Sequence, residues 1–373
     1  MIKILFLIHD LSQGGAEKVL VNLVNNMNHK EFDISVIALF GGGVNEQFLS
    51  SEIHYHFIWE RMIRGNSKIM KLLSPNQLYK KCVGNEKYDI VISYLEGPSA
   101  RIVSGCTDPK TKLVSWIHVE QHDAKKASRA FRSIKEAKNC YLKFDKTIAV
   151  SDYVANDFHS IFSDINPEVL YNTVESDVIL RKSRELVSEN LFHSEEIKLC
   201  GIGTLKKSKG FDRLLRIHKK LIDEKFPVHT YLLGSGEEEE NLKRWIKKNN
   251  LEKSFTFLGY QTNPYKYTAK CDLFICTSFA EGFSTAATES LIVGTPVCTV
   301  EVSGMKEMLG ENNEYGIITE NDEEALYEAI KGLIGSPDLL NKYKRKARER
   351  GKLFSTEQTV AATEKMLKGL TKV

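Results

Sequence analysis

Asp272-Leu-Phe-Ile-Cys276, Glu281-Gly-Phe-Ser-Thr-Ala-Ala-Thr-Glu289 and Gly294-Thr-Pro296 follow one another in the second half of the chain, and their order decides its fold. A short apolar run leads into a loop. Small and hydroxylated residues then open a helix that Gly294 and Pro296 stop. The order is strand, loop, helix, with the polar groups at the carboxyl end of the strand, where open α/β sheets bind ligands. Small side chains there let a ligand reach the backbone N–H groups of a helix start, which suits phosphate. Glu281 and Glu289 bracket the segment with seven residues between them. Carboxylates at such a place suit sugar or ribose hydroxyls, because each accepts two strong hydrogen bonds from a diol.

The same alternation runs outward in both directions. In the first half, residues 2–8, 34–40, 90–94, 112–117 and 147–150 read as strands, and 16–27 as a helix with Val19, Leu20, Leu23, Val24 and Met27 on one face. A charged stretch at 176–195 has little strand character and reads as a linker. The alternation restarts with strands at 198–202, 228–233, 256–258, 273–276 and 297–300, and a helix at 211–224. Amphipathic helices at 323–333, 338–350 and 356–370 close the chain. Two βα series predict an α/β protein of two doubly wound domains facing a cleft, 1–175 and 196–355.

Composition agrees with this and excludes other classes. The chain has 373 residues, natural for two domains, and 42% hydrophobic and 27% charged residues, the ordinary globular range. A net charge of +3 gives no argument for nucleic acid. The seven cysteines are scattered without a Cys-x-x-Cys pair, and read as reduced and buried in a cytoplasmic protein. Ile2–Ile8 is too short to span a membrane, and His9-Asp10 ends it without a signal-peptide pattern. No His/Cys/Asp cluster has metal-ligand spacing, so no metal is expected.

Other segments carry polar chemistry. His9-Asp-Leu-Ser-Gln-Gly14-Gly15-Ala-Glu17 links the first strand to the first helix. Its glycines fit either a tight turn or close approach to an anion, and they do not form the dinucleotide fingerprint. Gly203-Thr204-Leu-Lys206-Lys207-Ser-Lys209-Gly210 gathers three lysines before a helix, as a polyphosphate site or a solvated basic loop. Gly234-Ser-Gly236 precedes an acidic helix start and reads as a turn. His118 ends the strand 112–117, as a structural histidine or one that bonds a substrate hydroxyl or assists proton movement. Basic residues cluster at 61–81 and 125–146 with interleaved apolar ones, an amphipathic surface for anionic lipid or a solvated face.

Taken together, Gly14-Gly15-Ala-Glu-Lys, Trp116-Ile-His118, Ala149-Val-Ser-Asp152, Lys209-Gly-Phe-Asp, Leu233-Gly-Ser-Gly236, Phe257-Leu-Gly-Tyr260 and Glu-x7-Glu resemble the retaining nucleotide-sugar glycosyltransferases of family 4. The resemblance runs nearly end to end. It is nearest to bacterial enzymes that build capsular, lipopolysaccharide or other lipid-linked glycans. It implies the GT-B fold of two Rossmann-like domains, the first binding acceptor, the second donor, with residues 356–373 returning to the first. By resemblance, Glu281 binds donor-sugar hydroxyls with the N–H groups of Gly282, Phe283 and Ser284, and Thr285 adjoins them. Glu289 takes the ribose hydroxyls, Lys209 and Gly15 the diphosphate, His118 the transferred sugar, and Tyr260 borders the base. His118, Glu281 and Lys209 form the catalytic set. One departure stands out: the family has Arg where this chain has Thr204, and Lys206 or Lys207 would have to replace it.

The implied reaction is transfer of a hexose from a nucleoside diphosphate sugar, taken as a UDP-sugar, to a saccharide or lipid-linked glycan acceptor with retention. No cofactor or metal is required, and the implied location is cytoplasmic, peripheral on the inner face of the cell membrane. The competing readings are a non-catalytic sugar-nucleotide-binding accessory subunit, motivated by Thr204, and a GT-B sugar-nucleotide epimerase.

Overall fold

The computed structural model describes residues 1–12, 15–61, 70–188, 191–192, 195–279 and 283–371. The chain divides into two compact units, one comprising Met1–Val174 and the chain from Thr356 onward, the other Glu175–Ser355.

The first unit holds a seven-stranded parallel sheet of β1 (Ile2–Ile8), β2 (Phe32–Phe40), β3 (His54–Trp59), β4 (Ile90–Ser93), β5 (Lys112–Ile117), β6 (Lys146–Ala149) and β7 (Glu168–Val169), in the order β3-β2-β1-β4-β5-β6-β7. The direction of strand succession reverses between β1 and β4, which pair from Ile4↔Ile90 to Leu7↔Ser93. Side chains alternate across a strand, so β1 feeds two cores. Ile4, Phe6 and Ile8 join Val19, Leu20, Leu23 and Val24 of helix Gly15–Asn26, and Val360, Met366 and Leu367 of the final helix. Leu5 and Leu7 join Leu78, Tyr79 and Cys82 of helix Pro75–Cys82. Apolar residues on both faces make the central strands continuous hydrophobic runs, as parallel strands require. β3, missed in the sequence reading, is an edge strand that buries little, so its pattern of burial is broken.

The final helix, Thr356–Thr371, is tied to this unit. Thr356 Oγ1 donates to the Val174 carbonyl (2.7 Å), Glu364 accepts from Asn28 N–H (2.7 Å), and Lys368 pairs with Glu31 (2.6 Å).

The second unit holds a six-stranded parallel sheet of β8 (Ile197–Ile202), β9 (Val228–Leu233), β10 (Phe255–Gly259), β11 (Leu273–Cys276), β12 (Val297–Val300) and β13 (Ile317–Thr319), in the order β10-β9-β8-β11-β12-β13. Its reversal lies between β8 and β11. Helix Phe211–Asp223 follows β8 and buries the five residues its pattern predicts: Leu214, Leu215, Ile217, His218 and Leu221. Residues 176–195 are not simply a linker. They begin with helix Ser176–Ser183, which belongs to this unit and buries Ile179. Its C-terminal carbonyl, Lys182 O, accepts from Asn263 (3.0 Å), and Leu191 O accepts from the Tyr231 hydroxyl (2.8 Å). The surrounding charges hide this short apolar turn from a composition reading. All seven cysteines are free thiols, and all but Cys106 are buried. Among the described residues, no helix is long and apolar enough to cross a membrane.

Candidate functional site

A cavity of about 280 Å³ opens at the β8/β11 reversal of the second unit. Gly203, Thr204 and Lys209 line it from the loop after β8, Thr277 and Ser278 from the end of β11, and Ser284, Thr285 and Glu289 from the helix that follows. That helix, Thr285–Val293, is capped by Ser284, whose Oγ accepts from Ala287 N–H (3.3 Å). The remaining first-turn N–H groups and the helix dipole give its start a partial positive charge. Its far end is fixed by close packing. A Cβ on Gly351 would lie 2.4 Å from the Leu291 carbonyl oxygen, so helix Pro337–Gly351 meets it at backbone distance.

Lys209 is positioned by its backbone. It ends a single 3-10 turn, Lys207–Lys209, that is stitched to the chain after β11. Thr277 Oγ1 donates to Lys209 O (2.8 Å), and Phe279 N–H donates to Ser208 O (2.9 Å). Gly210, left-handed at φ 65°, permits this approach, since a Cβ there would meet Thr277 O at 2.2 Å. The Gly234-Ser-Gly236 turn supports the same loop from the other side. Gly203 N–H donates to Leu233 O and Leu205 N–H to Ser235 O, both at 3.0 Å, and a Cβ on Gly234 would lie 1.9 Å from Gly203 O.

Glu289 sits one turn into the helix, where it accepts from the Tyr265 hydroxyl (3.2 Å). Burial, then the nearby Glu289 charge, pushes the Tyr265 phenol upward, so it stays a hydrogen-bond donor. Tyr265 was missed in the sequence reading: it lies on the four-residue helix Tyr265–Thr268, too short for a periodic signal. Phe283 leans on the buried Phe354 ring, centroids 5.9 Å apart.

The remaining expectations divide. Glu281 and Gly282 lie outside the described residues, as does Gly14. Thr204 is exposed and lines the cavity, but Lys206 and Lys207 line a different one, with Asp212 and Glu238. Tyr260 is 67% exposed just past the end of β10 and lies outside the cavity lining.

The strand ends of the first unit carry different groups. His118, 7% exposed, follows β5 and packs on Tyr94, ring centroids 4.8 Å apart. Burial pushes its imidazole down to about 3, so the ring is neutral near pH 7. Its Nε2 is buried without a hydrogen-bond partner among the described residues, as is Trp116 Nε1 two residues earlier. A neutral ring with an unpaired nitrogen can hydrogen-bond a hydroxyl. Glu96, beyond β4, accepts from His118 N–H (3.0 Å), and burial raises its carboxyl. After β1, the His9–Asp10 pair (2.6 Å) lowers Asp10 to about 2. Gly15 opens the first helix, and a Cβ on it would meet nothing within 4 Å. Among the described residues, no three His, Cys, Asp or Glu side chains are grouped to hold a metal.

Comparison with known proteins gives two adjoining family matches. Glycosyltransferase Family 4 covers residues 13–178 and Glycosyl transferases group 1 covers 182–350. A similar curated protein is the N-acetylgalactosamine-N,N'-diacetylbacillosaminyl-diphospho-undecaprenol 4-alpha-N-acetylgalactosaminyltransferase of Campylobacter jejuni, 28% identical over 99% of this chain and 100% of that protein. A second Campylobacter jejuni relative, the GalNAc-alpha-(1->4)-GalNAc-alpha-(1->3)-diNAcBac-PP-undecaprenol alpha-1,4-N-acetyl-D-galactosaminyltransferase, is 24% identical over 95% of each chain. Among solved structures, Anabaena HepE in complex with UDP aligns with a TM-score of 0.76 at 18% identity, covering 98% of this chain and 100% of that one. A glycosyltransferase from Rickettsia africae aligns at 0.78 and 18%, covering 100% and 99%.

Proposed function

Because the chain belongs to the glycosyltransferases with two Rossmann-like domains, we propose that it moves a hexose from a UDP-sugar to a lipid-linked glycan, with retention of anomeric configuration. The observation that carries this reading is the β8/β11 cavity. It joins Lys209, a helix N-terminus and a tyrosine-held carboxylate at a topological switch point. The two Campylobacter relatives, which by name act on diphospho-undecaprenol glycans, support the acceptor class and make N-acetylgalactosamine the first donor sugar to try.

In this reading the diphosphate lies against Lys209 and the start of helix Thr285–Val293. Glu289 accepts from the ribose hydroxyls, and Glu281 with the neighbouring N–H groups grips the sugar. The bond from the anomeric carbon to the diphosphate oxygen breaks, and its electron pair leaves with the phosphate. Lys209 and the helix dipole stabilise that charge. The acceptor hydroxyl oxygen bonds to the same face of the sugar, and its proton passes to the departing diphosphate. No protein base is needed, in keeping with a neutral His118 that orients a sugar hydroxyl. Lys209 supplies the charge that a divalent cation would otherwise bring, so turnover should persist in chelator.

The test is turnover of UDP-N-acetylgalactosamine and other UDP-sugars on an undecaprenyl diphosphate glycan, with the product anomer read by NMR. A retained anomer is expected; an inverted one overturns the mechanism. Glu281→Ala should abolish transfer, and unimpaired transfer would remove Glu281 from the site. Thr204, where the family resemblance implies an arginine, favours a second reading, a nucleotide-sugar-binding subunit without activity. Donor binding with no turnover on any acceptor would establish it.

A further inference from the structure

The loop after β5 is pinned at both ends by carboxylates from other parts of the first unit. Glu96 Oε2 accepts from His118 N–H at its start (3.0 Å). Asp157, on helix Asp152–Ile161, accepts from Gln121 N–H (2.5 Å) and His122 N–H (3.0 Å) at its far end. Between them, the Gln121 amide donates to Val119 O (2.8 Å). His122 is held at φ 62°, a left-handed backbone that a residue with a Cβ keeps only where its surroundings enforce it. A loop constrained in this way has one conformation to present.

Glu96 has the more telling position of the two clamps. It follows β4, at the sheet reversal beside β1, where open parallel sheets bind ligands. The turn that carries it is fixed on either side. Ser93 Oγ donates to Leu95 O (2.7 Å), and Gly97 N–H donates to the Tyr141 hydroxyl (3.2 Å). Burial raises the Glu96 carboxyl, opposed by its backbone hydrogen bonds and the Lys126 charge. Burying a carboxyl is unfavourable, and this one sits where it grips the backbone of a single residue on the next strand end. That residue carries the His118 ring, packed on Tyr94, whose Nε2 has no partner among the described residues.

We propose that Glu96 is a positioning residue for transfer: through His118 N–H it sets the imidazole whose Nε2 meets a hydroxyl of the transferred sugar. A carboxyl oxygen and an amide oxygen accept the same bond, so the role lies in the accepting oxygen and not in the charge. Placement matters because a misplacement of about 1 Å costs about 100-fold in rate. Asp157 holds the far end of the loop separately, so removing Glu96 frees the His118 end without releasing the whole loop. The inference rests on the proposed function for the role of His118.

The test pairs Glu96→Ala with Glu96→Gln in transfer from UDP-N-acetylgalactosamine to an undecaprenyl diphosphate glycan. Glu96→Ala should lower kcat by about 10- to 100-fold, with the affinity for UDP, read by calorimetry, as in the parent. Glu96→Gln, which keeps the accepting oxygen, should stay within about threefold of the parent. A second readout needs no turnover. The His118 imidazole resonances of isotope-labelled protein should move in Glu96→Ala and stay in Glu96→Gln. An alanine variant within about twofold of the parent, a glutamine variant as slow as alanine, or an unmoved His118 ring in Glu96→Ala overturns the inference. Loss of UDP affinity in step with kcat overturns it too, by marking a merely structural role. A parent that transfers nothing sinks the proposed function instead, a distinct outcome, since the setting of the His118 ring is read from the resonances alone.

Discussion

The loops at the two sheet reversals are both tied to a neighbouring strand's end, Leu11 O accepting from Asn45 N–H and Ser208 O from Phe279 N–H, both at 2.9 Å, but they differ at the glycine that leads into the next helix. In the second unit, the loop after β8 is enclosed by backbone. Gly210 and Gly234 each lie where a Cβ would strike a carbonyl oxygen, and hydrogen bonds tie the loop to the ends of β9 and β11. In the first unit, Gly15 has open space around its missing Cβ, and His118 Nε2 and Trp116 Nε1 are buried at the end of β5 without partners among the described residues. A closed, amide-rich and cationic loop suits a ligand of fixed shape and charge, as a nucleoside diphosphate is. Unpaired polar nitrogens suit hydroxyls that arrive in more than one arrangement. The difference in construction thus parallels the proposed difference between donor and acceptor sides.

The comparison can be broken most sharply at Lys209. Lys209→Ala should lower kcat by about 100- to 1000-fold, the range for removing one stabiliser of developing charge, with the fold intact by circular dichroism. A change under about tenfold would remove Lys209 from the chemistry. The glycines come next. Gly234→Ala, also strained at φ 135°, should destabilise by about 3 kcal/mol. Gly15→Ala should be neutral or stabilising by up to about 1 kcal/mol. Both are read by urea unfolding, and similar losses at the two positions would erase the contrast.

Acid should strain both units through buried histidines. His118 in the first and His218 in the second are each pushed down to about 3, mainly by burial. The unfolded state binds protons at about pH 6.5 that the folded state refuses, so stability is full above that pH and falls toward pH 3. At pH 5 each histidine should have cost about 2 kcal/mol. His218→Gln should show a smaller loss between pH 7 and 5 than the parent, and an equal loss would contradict this. The smallest effect is expected at Tyr265. Tyr265→Phe removes one hydrogen bond to Glu289 and should raise the donor KM by about fivefold, roughly 1 kcal/mol. An unchanged donor KM would leave Glu289 without need of its anchor.

The strand ends were legible because parallel strands announce themselves. Runs such as Leu273-Phe-Ile-Cys and the Phe211–Asp223 stripe have a single physical reading, burial on two faces or on one. Lys209, Ser284 and Glu289 were legible for the same reason: they sit just beyond such elements, and all three line one cavity. What escaped depends on contacts distant in sequence. Tyr265 matters only because its short helix meets Glu289, 24 residues on. The neutral state of His118 follows from burial that residue type does not encode. Helix Ser176–Ser183 was masked by its own surface charges. Lys206 and Lys207 adjoin Lys209 in sequence, but they line a different cavity.

The central claim is that a nucleoside diphosphate enters the β8/β11 cavity, and hydrogen–deuterium exchange with and without UDP tests it directly. Slowed exchange is expected in residues 202–211 and 284–290, with 9–17 and 96–118 unchanged by UDP alone. Protection confined to the first unit's strand ends, or none at saturating UDP, would contradict the account.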